Sequence, residues 1–573
     1  MSDRMFAIPF ELLMQQLLQE YRENKTVFQV KTLYQNEGES QDLKLFGRRL
    51  EWALGVAAGP HTQLAQNLAA CYAGGARFLE VKTIQKLYGE DLGIPRPCIR
   101  ADDEAYNVEW SSEFKPFDAA AEYIKGYFLC KVLAKEFGFG DPDAFMFNIS
   151  CGYDYEGLKD PSVDEYLNLM QDATHHPEFA RDLEVLKNLQ REGAFEQIDE
   201  AFIDQISPKI SNTLTLSTMH GCPPDEIEKM ARHILEVKGL NLYVKCNPTL
   251  LGYDYVRDLL DRMGYDYVRF GREQFEKDLK PEQAFEMFER LLVTAKERGL
   301  TFGVKLTNTF QTDIEEKELP GQSMYMSGKA LYPLSISVAK LLSARFGDRL
   351  PMSFSGGADA FNLKDLLEAN IYPITVCTVL LKPRGMNQLA KLAQLTNETK
   401  LPAHADERGP KADLIAKMAD EVAANTRYQK SAAKRKQVDL HKSYVGVRSD
   451  DIHCRVLCQS CIDVCPNRAN DVLSLKDDAR VILHIDQNCN ECGNCQFHCV
   501  EPCLPYRDRL TLFHHEDELL QHSENKGVCF LDGVDGDRFA YRYEGEGHAS
   551  YAELPEVLQK MVDAIRAERR YLL

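Results

Sequence analysis

The chain has 573 residues, of which 44% are apolar, and a formal net charge of −20. This length predicts two to four domains, and the apolar content suffices for a large core. The acidic balance argues against nucleic acid or an anionic membrane surface as a partner, because like charges repel. The N-terminus lacks the apolar segment of a signal peptide, and no stretch approaches the roughly 20 apolar residues of a membrane span. We therefore expect a cytoplasmic protein with no membrane association.

The first 405 residues predict a helical extension followed by a barrel. Residues 1–45 contain one amphipathic helix, near Phe10–Tyr21. Residues 46–405 alternate helical segments with short β-rich runs at 53–58, 77–82, 145–150, 213–217, 242–246, 302–306, 352–355 and 375–379. Eight strands with intervening helices predict an α/β fold of the (β/α)8 TIM barrel type. One predicted helix, 225–238, follows two prolines and is stopped by Gly239.

Small or polar residues follow most of the predicted strands. A strand that is buried on both faces should end in apolar residues, so successive polar ends predict a ligand site. In barrels of this kind the chemistry lies at the C-terminal ends of the strands. The glycine pair after the seventh strand can turn backbone N–H groups toward a phosphate. The residues at these ends are Ala58, Gly59, Lys82, Thr83, Asn148, Cys222, Lys245, Asn308, Thr309, Gly356 and Gly357.

Eight cysteines near the C-terminus form two blocks. The first block has the spacing C-x3-C-x2-C-x3-C, and the second has the bacterial ferredoxin spacing C-x2-C-x2-C-x3-C. In that arrangement the fourth thiolate of each block binds the cluster of the other block. We therefore expect two [4Fe–4S] clusters that pass electrons between them. The predicted ligand sets are Cys454, Cys458, Cys461 and Cys499 for one cluster, and Cys489, Cys492, Cys495 and Cys465 for the other.

Two other interpretations of the cysteines are weaker. Structural zinc is disfavoured because zinc sites use C-x2-C pairs and usually fewer cysteines. Disulfides are disfavoured further, because nothing in the sequence indicates secretion. Cys503 follows the second block and is either a spare ligand or an ordinary buried thiol.

The C-terminal third divides into three segments. Residues 406–450 have few apolar residues and predict a linker, and residues 451–507 predict a two-cluster ferredoxin-like domain. Residues 508–573 form a tail with short strands near 511–513 and 530–532 and a closing helix over 556–573. Packing of this tail against the barrel or against a partner protein is equally compatible with its sequence.

The order of motifs resembles the FMN barrels of dihydroorotate and dihydropyrimidine dehydrogenases. Over nearly the whole chain it is more similar to the YgfK family, whose members are described as selenate reductase subunits. The motifs are GPHTQLAQN (59–67), TLSTMHGCPPDEIE (215–228), NPTLLGY (247–253), FGVKLTNT (302–309), MYMSG (324–328), CIDVCPNRAN (461–470) and CNECGNC (489–495).

This chain departs from the family in one large respect. Family members carry an FAD- and NADPH-binding region between the barrel and the ferredoxin module, and here that region is missing. No G-x-G-x-x-G motif follows a predicted strand. The resemblance therefore implies a hetero-oligomer, in which a separate NAD(P)H- and FAD-dependent flavoprotein, similar to the small subunit of glutamate synthase, supplies the electrons.

The resemblance also implies roles for the residues at the strand ends. Ala58 and Gly59 would lie against the flavin of FMN, and Lys82 and Thr83 would meet its ring edge or ribityl chain. Asn148 would bond the ring, and Lys245 would lie near N1, where its charge stabilises the reduced anion. The remaining residues would contact substrate or flavin (Asn308 and Thr309) or the FMN phosphate (Gly356, Gly357 and Thr378). Thr215 replaces an asparagine of dihydropyrimidine dehydrogenases, so the substrate is expected to differ.

Cys222 matches the catalytic cysteine of those dehydrogenases. A helix begins two residues later, and its N-terminus is expected to lower the thiol pKa. The thiol would protonate the carbon next to the one that receives the hydride. His220 is the alternative acid, and a buried structural thiol is the alternative interpretation of Cys222. Cys151 and Cys246 are expected to be core thiols.

Two classes of function follow from these observations. In the first, the chain is an FMN and iron–sulfur oxidoreductase subunit that acts on a C=C or C=N bond of a purine-like or pyrimidine-like heterocycle. In the second, the barrel is a non-catalytic scaffold and the clusters only pass electrons between partners. A role as a selenate reductase component is weaker, because the sequence shows no molybdenum site.

Overall fold

The computed structural model describes residues 4–36, 38, 40–41, 43–102, 104–108, 111–218, 221–315, 317–399, 401, 409–430, 452–475 and 480–573. Within these ranges no helix is long and apolar enough to cross a membrane. Of the linker predicted at 406–450, residues 406–408 and 431–450 lie outside the described residues, whereas 409–430 are described and contain a helix at Ala412–Glu421.

Twenty strands are present in the described ranges. In chain order they are β1 Leu43–Leu45, β2 Arg48–Leu50, β3 Leu54–Val56, β4 Phe78–Glu80, β5 Ile99–Arg100, β6 Tyr106–Asn107, β7 Met146–Tyr153, β8 Thr213–Thr218, β9 Asn241–Cys246, β10 Phe302–Leu306, β11 Phe310–Asp313, β12 Ser323–Met326, β13 Met352–Phe354, β14 Ile374–Val376, β15 Asn470–Ser474, β16 Arg480–Ile485, β17 Leu510–Phe513, β18 Gly527–Phe530, β19 Arg538–Arg542 and β20 Glu546–Ser550.

The same ranges contain nineteen α-helices. They are α1 Phe10–Asn24, α2 Ala65–Ala73, α3 Pro116–Phe137, α4 Tyr155–Leu158, α5 Pro161–Gln171, α6 Pro177–Arg191, α7 Glu200–Asp204, α8 Pro224–Arg232, α9 Tyr253–Arg262, α10 Arg272–Lys277, α11 Pro281–Glu297, α12 Tyr332–Phe346, α13 Leu363–Glu368, α14 Gly385–Glu398, α15 Ala412–Glu421, α16 Ser460–Asp463, α17 Asn494–Phe497, α18 Pro505–Asp508 and α19 Glu556–Glu568.

Eight parallel strands close into a barrel in the order β3, β4, β7, β8, β9, β10, β13 and β14, and β14 pairs with β3. These strands lie at the eight runs predicted from the sequence, so the prediction of a (β/α)8 barrel is confirmed. Every residue of β3, β4 and β10 is buried. Burial on both faces is expected, because side chains fill the barrel interior while helices cover its outside.

The helix predicted at 225–238 illustrates how local sequence sets an element. It begins at Pro224, runs as α8 to Arg232 and continues as a π-helical turn to Lys238. Gly239 ends it with a φ of 65°, in the left-handed region that glycine adopts most readily.

The two ends of the barrel are covered differently. At the N-terminal ends of the strands, β1 and β2 form a hairpin whose Phe46 ring lies 5.3 Å from the ring of Tyr243. At the other end, the loops after β4 and β10 supply a four-stranded sheet in the order β11, β12, β6, β5, which we call the lid sheet. The lid sheet lies over the strand ends that carry the predicted ligand residues.

The C-terminal part is built on one six-stranded mixed sheet, in the order β15 to β20. Strands β15 and β16 lie between the two cysteine blocks, whereas β17 to β20 come from the predicted tail. Leu483, Leu512, Val528 and Phe539 of the sheet share one core with Met561 of α19. The tail therefore packs on the cysteine segment, an arrangement that its sequence did not indicate.

The N-terminal extension contacts both parts of the molecule. The ammonium group of Lys125 on α3 donates to the carbonyl oxygen of Ile8 at 2.7 Å. The backbone N–H of Phe6 donates to the carbonyl oxygen of Gln487 at 2.8 Å, and its ring lies 4.0 Å from the ring of His515. Residues 4–10 thus connect the barrel to the C-terminal sheet.

Candidate functional site

A cavity of about 690 Å³ opens at the C-terminal ends of the barrel strands, beneath the lid sheet. This volume is within the range of about 300–1,000 Å³ that is usual for small-molecule sites. Nine of the predicted cofactor residues line the cavity. They are Ala58, Gly59, Lys82, Thr83, Lys245, Asn308, Thr309, Gly357 and Thr378.

Two of the predicted cofactor residues lie behind the cavity wall. Asn148 is fully buried, and its side-chain N–H group donates to Glu80 at 3.1 Å and to Thr215 at 2.8 Å. Its side-chain oxygen is buried and has no hydrogen-bond partner. Gly356 packs so closely that an added Cβ would lie 1.9 Å from the hydroxyl oxygen of Ser335.

The backbone of the glycine pair does not act as the sequence predicted. The N–H of Gly356 donates to the carbonyl oxygen of Leu306 at 2.9 Å, and the N–H of Gly357 donates to that of Ser355 at 2.8 Å. Both donors are therefore engaged within the protein. Gly357, with a φ of 87°, instead allows the loop to pass close to the backbone of Gly328.

A buried charge cluster forms the floor of the cavity. The Glu80 carboxylate lies 3.2 Å from the ammonium group of Lys245 and 2.5 Å from that of Lys305. It also accepts hydrogen bonds from the hydroxyl of Thr215 at 3.0 Å and from the backbone N–H of Ala58 at 3.3 Å. One carboxylate between two lysines leaves the floor with a net positive charge, which suits an anionic ligand.

The protonation of this cluster follows from its burial and its charges. Burial acts to raise the pKa of Glu80, but the ammonium groups of Lys305 and Lys245 outweigh it and lower the pKa to about 2. Burial lowers the pKa of Lys305 to about 8, against the opposing effect of Glu80. At neutral pH the carboxylate is ionised and Lys305 is mostly protonated.

Cys222 lies next to the main cavity but outside it. The thiol is buried and lines a separate small space of about 20 Å³ with Thr249 and Asp278. Thr218 and Lys245 line both spaces and separate them. His220, the alternative acid, lies outside the described residues.

The pKa of Cys222 moves in the direction opposite to the one expected from the sequence. Burial raises the pKa to about 12, and the carboxylates of Glu226, Asp154 and Asp278 act in the same direction. The prediction of a lowered pKa is therefore wrong. Desolvation and acidic neighbours outweigh the N-terminus of α8, so the thiol stays protonated and can serve only as a proton donor. Its catalytic role stays a prediction.

The two cysteine blocks form loops with the same backbone pattern. The second cysteine of each block is flanked by residues with positive φ. They are Leu457 (47°) and Gln459 (61°) around Cys458, and Glu491 (50°) and Gly493 (81°) around Cys492. Loops of this kind turn successive N–H groups inward and bind anions. Three thiols accept backbone N–H groups at 3.2–3.3 Å, namely Cys454, Cys465 and Cys489.

The thiols lie in two groups. Cys465, Cys489, Cys492 and Cys495 line one small space, and we call them the inner thiol set. The other four are called the outer thiol set. In it, burial raises the pKa of Cys461 to about 12, and the neighbouring thiols of Cys499, Cys454 and Cys458 add to this effect. Crowded thiols of this kind are suited to binding iron, whose charge would offset that of the thiolates.

Cys503 lies beside the outer thiol set. Its sulfur atom is 3.5 Å from that of Cys499, and it accepts a hydrogen bond from the guanidinium group of Arg509 at 3.1 Å. Cys151 and Cys246 are fully buried in the barrel, as core thiols are.

The inner thiol set touches the wall of the main cavity. The carbonyl oxygen of Cys492 accepts hydrogen bonds from the N–H groups of Cys98 and Ile99, both at 2.9 Å. The side chain of Asn494 donates to the carbonyl oxygen of Leu381 at 2.8 Å. Since Ile99 and Leu381 both line the cavity, the cysteine loop and the cavity share a wall.

Comparison with known proteins identifies the family. The pattern of "Oxidoreductase YgfK, N-terminal TIM-barrel domain" matches residues 28–430, which is more than half of the chain. The chain belongs to the YgfK oxidoreductase family. The proteins named YgfK in Escherichia coli (strain K12) and in Escherichia coli O157:H7 are each 44% identical to it over 401 residues, which is 68% of this chain. The chain spans only 39% of the length of these two relatives.

A solved structure also resembles this YgfK-family chain. It is DHODH in complex with ferulenol from Eimeria tenella, with 14% sequence identity and a TM-score of 0.40. The match covers 71% of this chain and 96% of that one.

Sequence reasoning assigned no role to two residues of the YgfK-family cavity floor, Glu80 and Lys305. Glu80 is the last residue of β4 and Lys305 is next to last in β10, just before the polar positions that were assigned roles. A signal was nevertheless present, because a charged residue inside a fully buried strand requires a partner of opposite charge. The hydroxyl of Thr215 is one of the groups that donate to Glu80.

Proposed function

We propose that this chain is the substrate-binding subunit of an FMN- and iron–sulfur-dependent oxidoreductase related to dihydropyrimidine dehydrogenase. Its substrate would be a purine-like or pyrimidine-like heterocycle with a reducible C=C or C=N bond. The observation that carries the proposal is the wall shared by the inner thiol set and the cavity, through Cys492, Ile99, Asn494 and Leu381. This wall would give electrons a short covalent and hydrogen-bonded route.

The residues of the cavity fit FMN. The positive floor suits a group that is negatively charged when reduced, and Lys245 is the member of the floor cluster that reaches the cavity. FMN, when bound, would supply hydride chemistry to the substrate. The protein groups would orient the substrate and, in the case of Cys222, donate a proton.

The cavity wall offers neutral hydrogen-bonding groups that fit a heterocycle. The amide of Asn308 donates to the side-chain oxygen of Asn247 at 2.7 Å and accepts from the hydroxyl of Ser217 at 3.3 Å. These contacts fix the orientation of Asn308. A pre-oriented amide at a cavity wall supports recognition of a ring that carries C=O and N–H groups.

The outer thiol set provides the place where electrons would enter. Cys458 is exposed, and two exposed apolar side chains lie next to ligands of the same set, Val456 (56% exposed) and Val500 (61% exposed). Exposed apolar residues around a redox group are typical of a surface that binds another protein transiently. The proposed partner is an NAD(P)H-oxidising flavoprotein similar to the small subunit of glutamate synthase.

The test is the flavin and iron content of anaerobically purified protein. About one FMN and about eight iron atoms per chain are expected, because each of the two thiol sets would hold a four-iron cluster. Iron without flavin would favour a non-catalytic electron-transfer subunit. Protein without iron, after strict exclusion of oxygen, would contradict the proposal.

A further inference from the structure

A row of four side chains crosses the lid sheet. The pairing of strands places Ile99 opposite Asn107, Asn107 opposite Tyr325, and Tyr325 opposite Gln311. Residues that are directly opposite one another on neighbouring strands project from the same face of a sheet. All four of these residues line the main cavity, so the row faces the space in which a ligand would bind.

The polar part of the row is neutral and has both donors and acceptors. The amides of Asn107 and Gln311 each offer an N–H group and a carbonyl oxygen. Both side chains are half-buried, and neither amide has a hydrogen-bond partner within the described ranges. Between them lies Tyr325, whose pKa is raised by burial, so its hydroxyl remains protonated. Such a row matches a ligand edge that alternates C=O and N–H groups.

The length of the row selects among possible ligands. Neighbouring strands are separated by about 4.8 Å, so the distance from Asn107 across Tyr325 to Gln311 is about 10 Å. A single six-membered ring is too short to meet both amides, whereas a fused two-ring system with polar groups at both ends reaches them. The row is therefore better matched to a purine-like ring than to a pyrimidine.

The row is held in a fixed position relative to the cysteine loop. Ile99, at one end of the row, donates its backbone N–H to the carbonyl oxygen of Cys492. At the other end, Gln311 lies on β11, which follows β10 of the barrel after three residues. Groups that are positioned in this way before the ligand arrives bind it with a smaller entropic cost.

We propose that the row Asn107–Tyr325–Gln311 determines substrate specificity by binding the polar edge of a fused two-ring heterocycle that carries carbonyl and N–H groups at both ends. This inference rests on the proposed function, because it assigns the substrate class of the same cavity. The row lies on the lid sheet, whereas the residues to which the resemblance assigns roles lie on the barrel.

The test is calorimetric titration of the full-length, anaerobically purified protein with xanthine, which has two fused rings, and with uracil, which has one. We expect xanthine to bind at least about tenfold more tightly than uracil. Asn107→Leu and Gln311→Leu should each weaken xanthine binding about tenfold while uracil binding changes less, since each removes hydrogen bonds from one end of the longer ligand. The two variants lie on different strands, so the failure of one to fold leaves the other.

The matched control is Gln322→Leu, an amide on the same lid hairpin that is exposed and does not line the cavity. It should bind xanthine as the wild type does. Equal binding of uracil and xanthine, no binding of xanthine, or unchanged binding in both row variants would overturn the inference. Flavin content is measured on the same samples, so a lack of flavin would contradict the proposed function separately from these results.

Discussion

The cavity floor and the cysteine loops hold reactive groups in opposite ways. In the floor, the carboxylate of Glu80 is matched within the protein by two lysines and three neutral donors. In the loops, eight thiols are grouped in two sets. As thiolates they would require a metal cation, and the inward-turned N–H groups suit the net negative charge of a thiolate-bound cluster. The difference teaches that the floor is held together by protein groups alone, whereas the proposed clusters would complete the loops.

The largest expected effect comes from removing one thiol of the inner set. Cys495→Ala should lose about four of about eight iron atoms, because a cubane cluster needs its four ligands. The loop should then become sensitive to protease, whereas the barrel should retain its flavin. Iron analysis, flavin absorbance and limited proteolysis measure these three effects.

Cys529→Ala is the matched control for this experiment. Cys529 is a buried thiol of the same C-terminal sheet that belongs to neither set. It should retain all of the iron. Unchanged iron content in Cys495→Ala would mean that the assignment of the inner set is incorrect.

The next effect concerns the charge cluster of the cavity floor. Glu80→Gln leaves two buried ammonium groups without a carboxylate, and breaking a buried ion pair in this way costs about 3–5 kcal/mol of unfolding free energy. Denaturant unfolding of the barrel measures the loss. Glu297→Gln, which removes an exposed carboxylate at the end of α11, should change stability by less than about 0.5 kcal/mol. Equal stability of the two variants would show that the floor lysines do not need Glu80.

The same variant allows a test by pH. The pKa of Glu80 is lowered from 4.5 to about 2 on folding, so its stabilising contribution is fully present above pH 4.5 and is lost as the pH falls toward 2. The difference in unfolding free energy between wild type and Glu80→Gln should therefore narrow over that interval. A difference that stayed constant from pH 5 to pH 2.5 would contradict the lowered pKa.

A third effect compares a thiol of the barrel with the thiols of the loops. Burial and neighbouring carboxylates raise the pKa of Cys222 and keep its thiol protonated. We therefore expect Cys222 to act as a proton donor and not as a metal ligand. Cys222→Ala should retain flavin and iron. The rate at which xanthine reoxidises the dithionite-reduced protein should fall by about 10²-fold, the usual contribution of a general acid.

Cys246→Ala is the control for this comparison, because it removes a barrel thiol that is equally buried and lines only the same small space. Its rate of reoxidation should stay close to that of the wild type. A Cys222→Ala protein that reacted at the wild-type rate would transfer the acid role to His220 or to water.

The smallest effect addresses the contact between the two regions. An added Cβ on Gly493 would lie 2.2 Å from the Cβ of Pro97, so Gly493→Ala should separate the inner loop from the barrel. Gly533→Ala has a similar φ, 76° against 81°, but nothing lies within 4 Å of its added Cβ. The first variant should be less stable than the second by about 1–3 kcal/mol, the usual cost of overpacking. Equal stability would argue against a tight contact at Pro97.

Much of the architecture could be predicted because its signals are local. Each barrel strand is a short β-rich run with helical segments on both sides, and all eight were found. The end of the π-helical turn after α8 depends on one residue, Gly239. Nine of eleven proposed cofactor residues line the cavity, because the C-terminal ends of parallel strands always meet at one end of a barrel.

The failures have a common cause. The pKa of Cys222 is raised first by burial and then by the carboxylates of Glu226, Asp154 and Asp278. Burial, Asp154 and Asp278 depend on segments distant in sequence, so the local effect of a helix N-terminus was misleading. The N–H of Gly356 donates to the carbonyl oxygen of Leu306 on β10, a segment distant in sequence. The N–H of Gly357 donates to Ser355 in its own loop. The packing of the tail likewise depends on a sheet whose strand order cannot be read from a single segment.

The sequence alone determined the barrel, the two thiol loops and the set of strand-end residues, because periodicity, cysteine spacing and glycine stops act over a few positions. Tertiary structure decided the rest. Pairing of β9 with β10 places Lys245 directly beside Lys305, and only the closed barrel brings Glu80 between these like charges. Strand register likewise aligned Asn107 with Tyr325 and Gln311 from loops far apart in the chain. Charge compensation and strand register are properties of pairs of segments, and the sequence of one segment does not identify the segment with which it pairs.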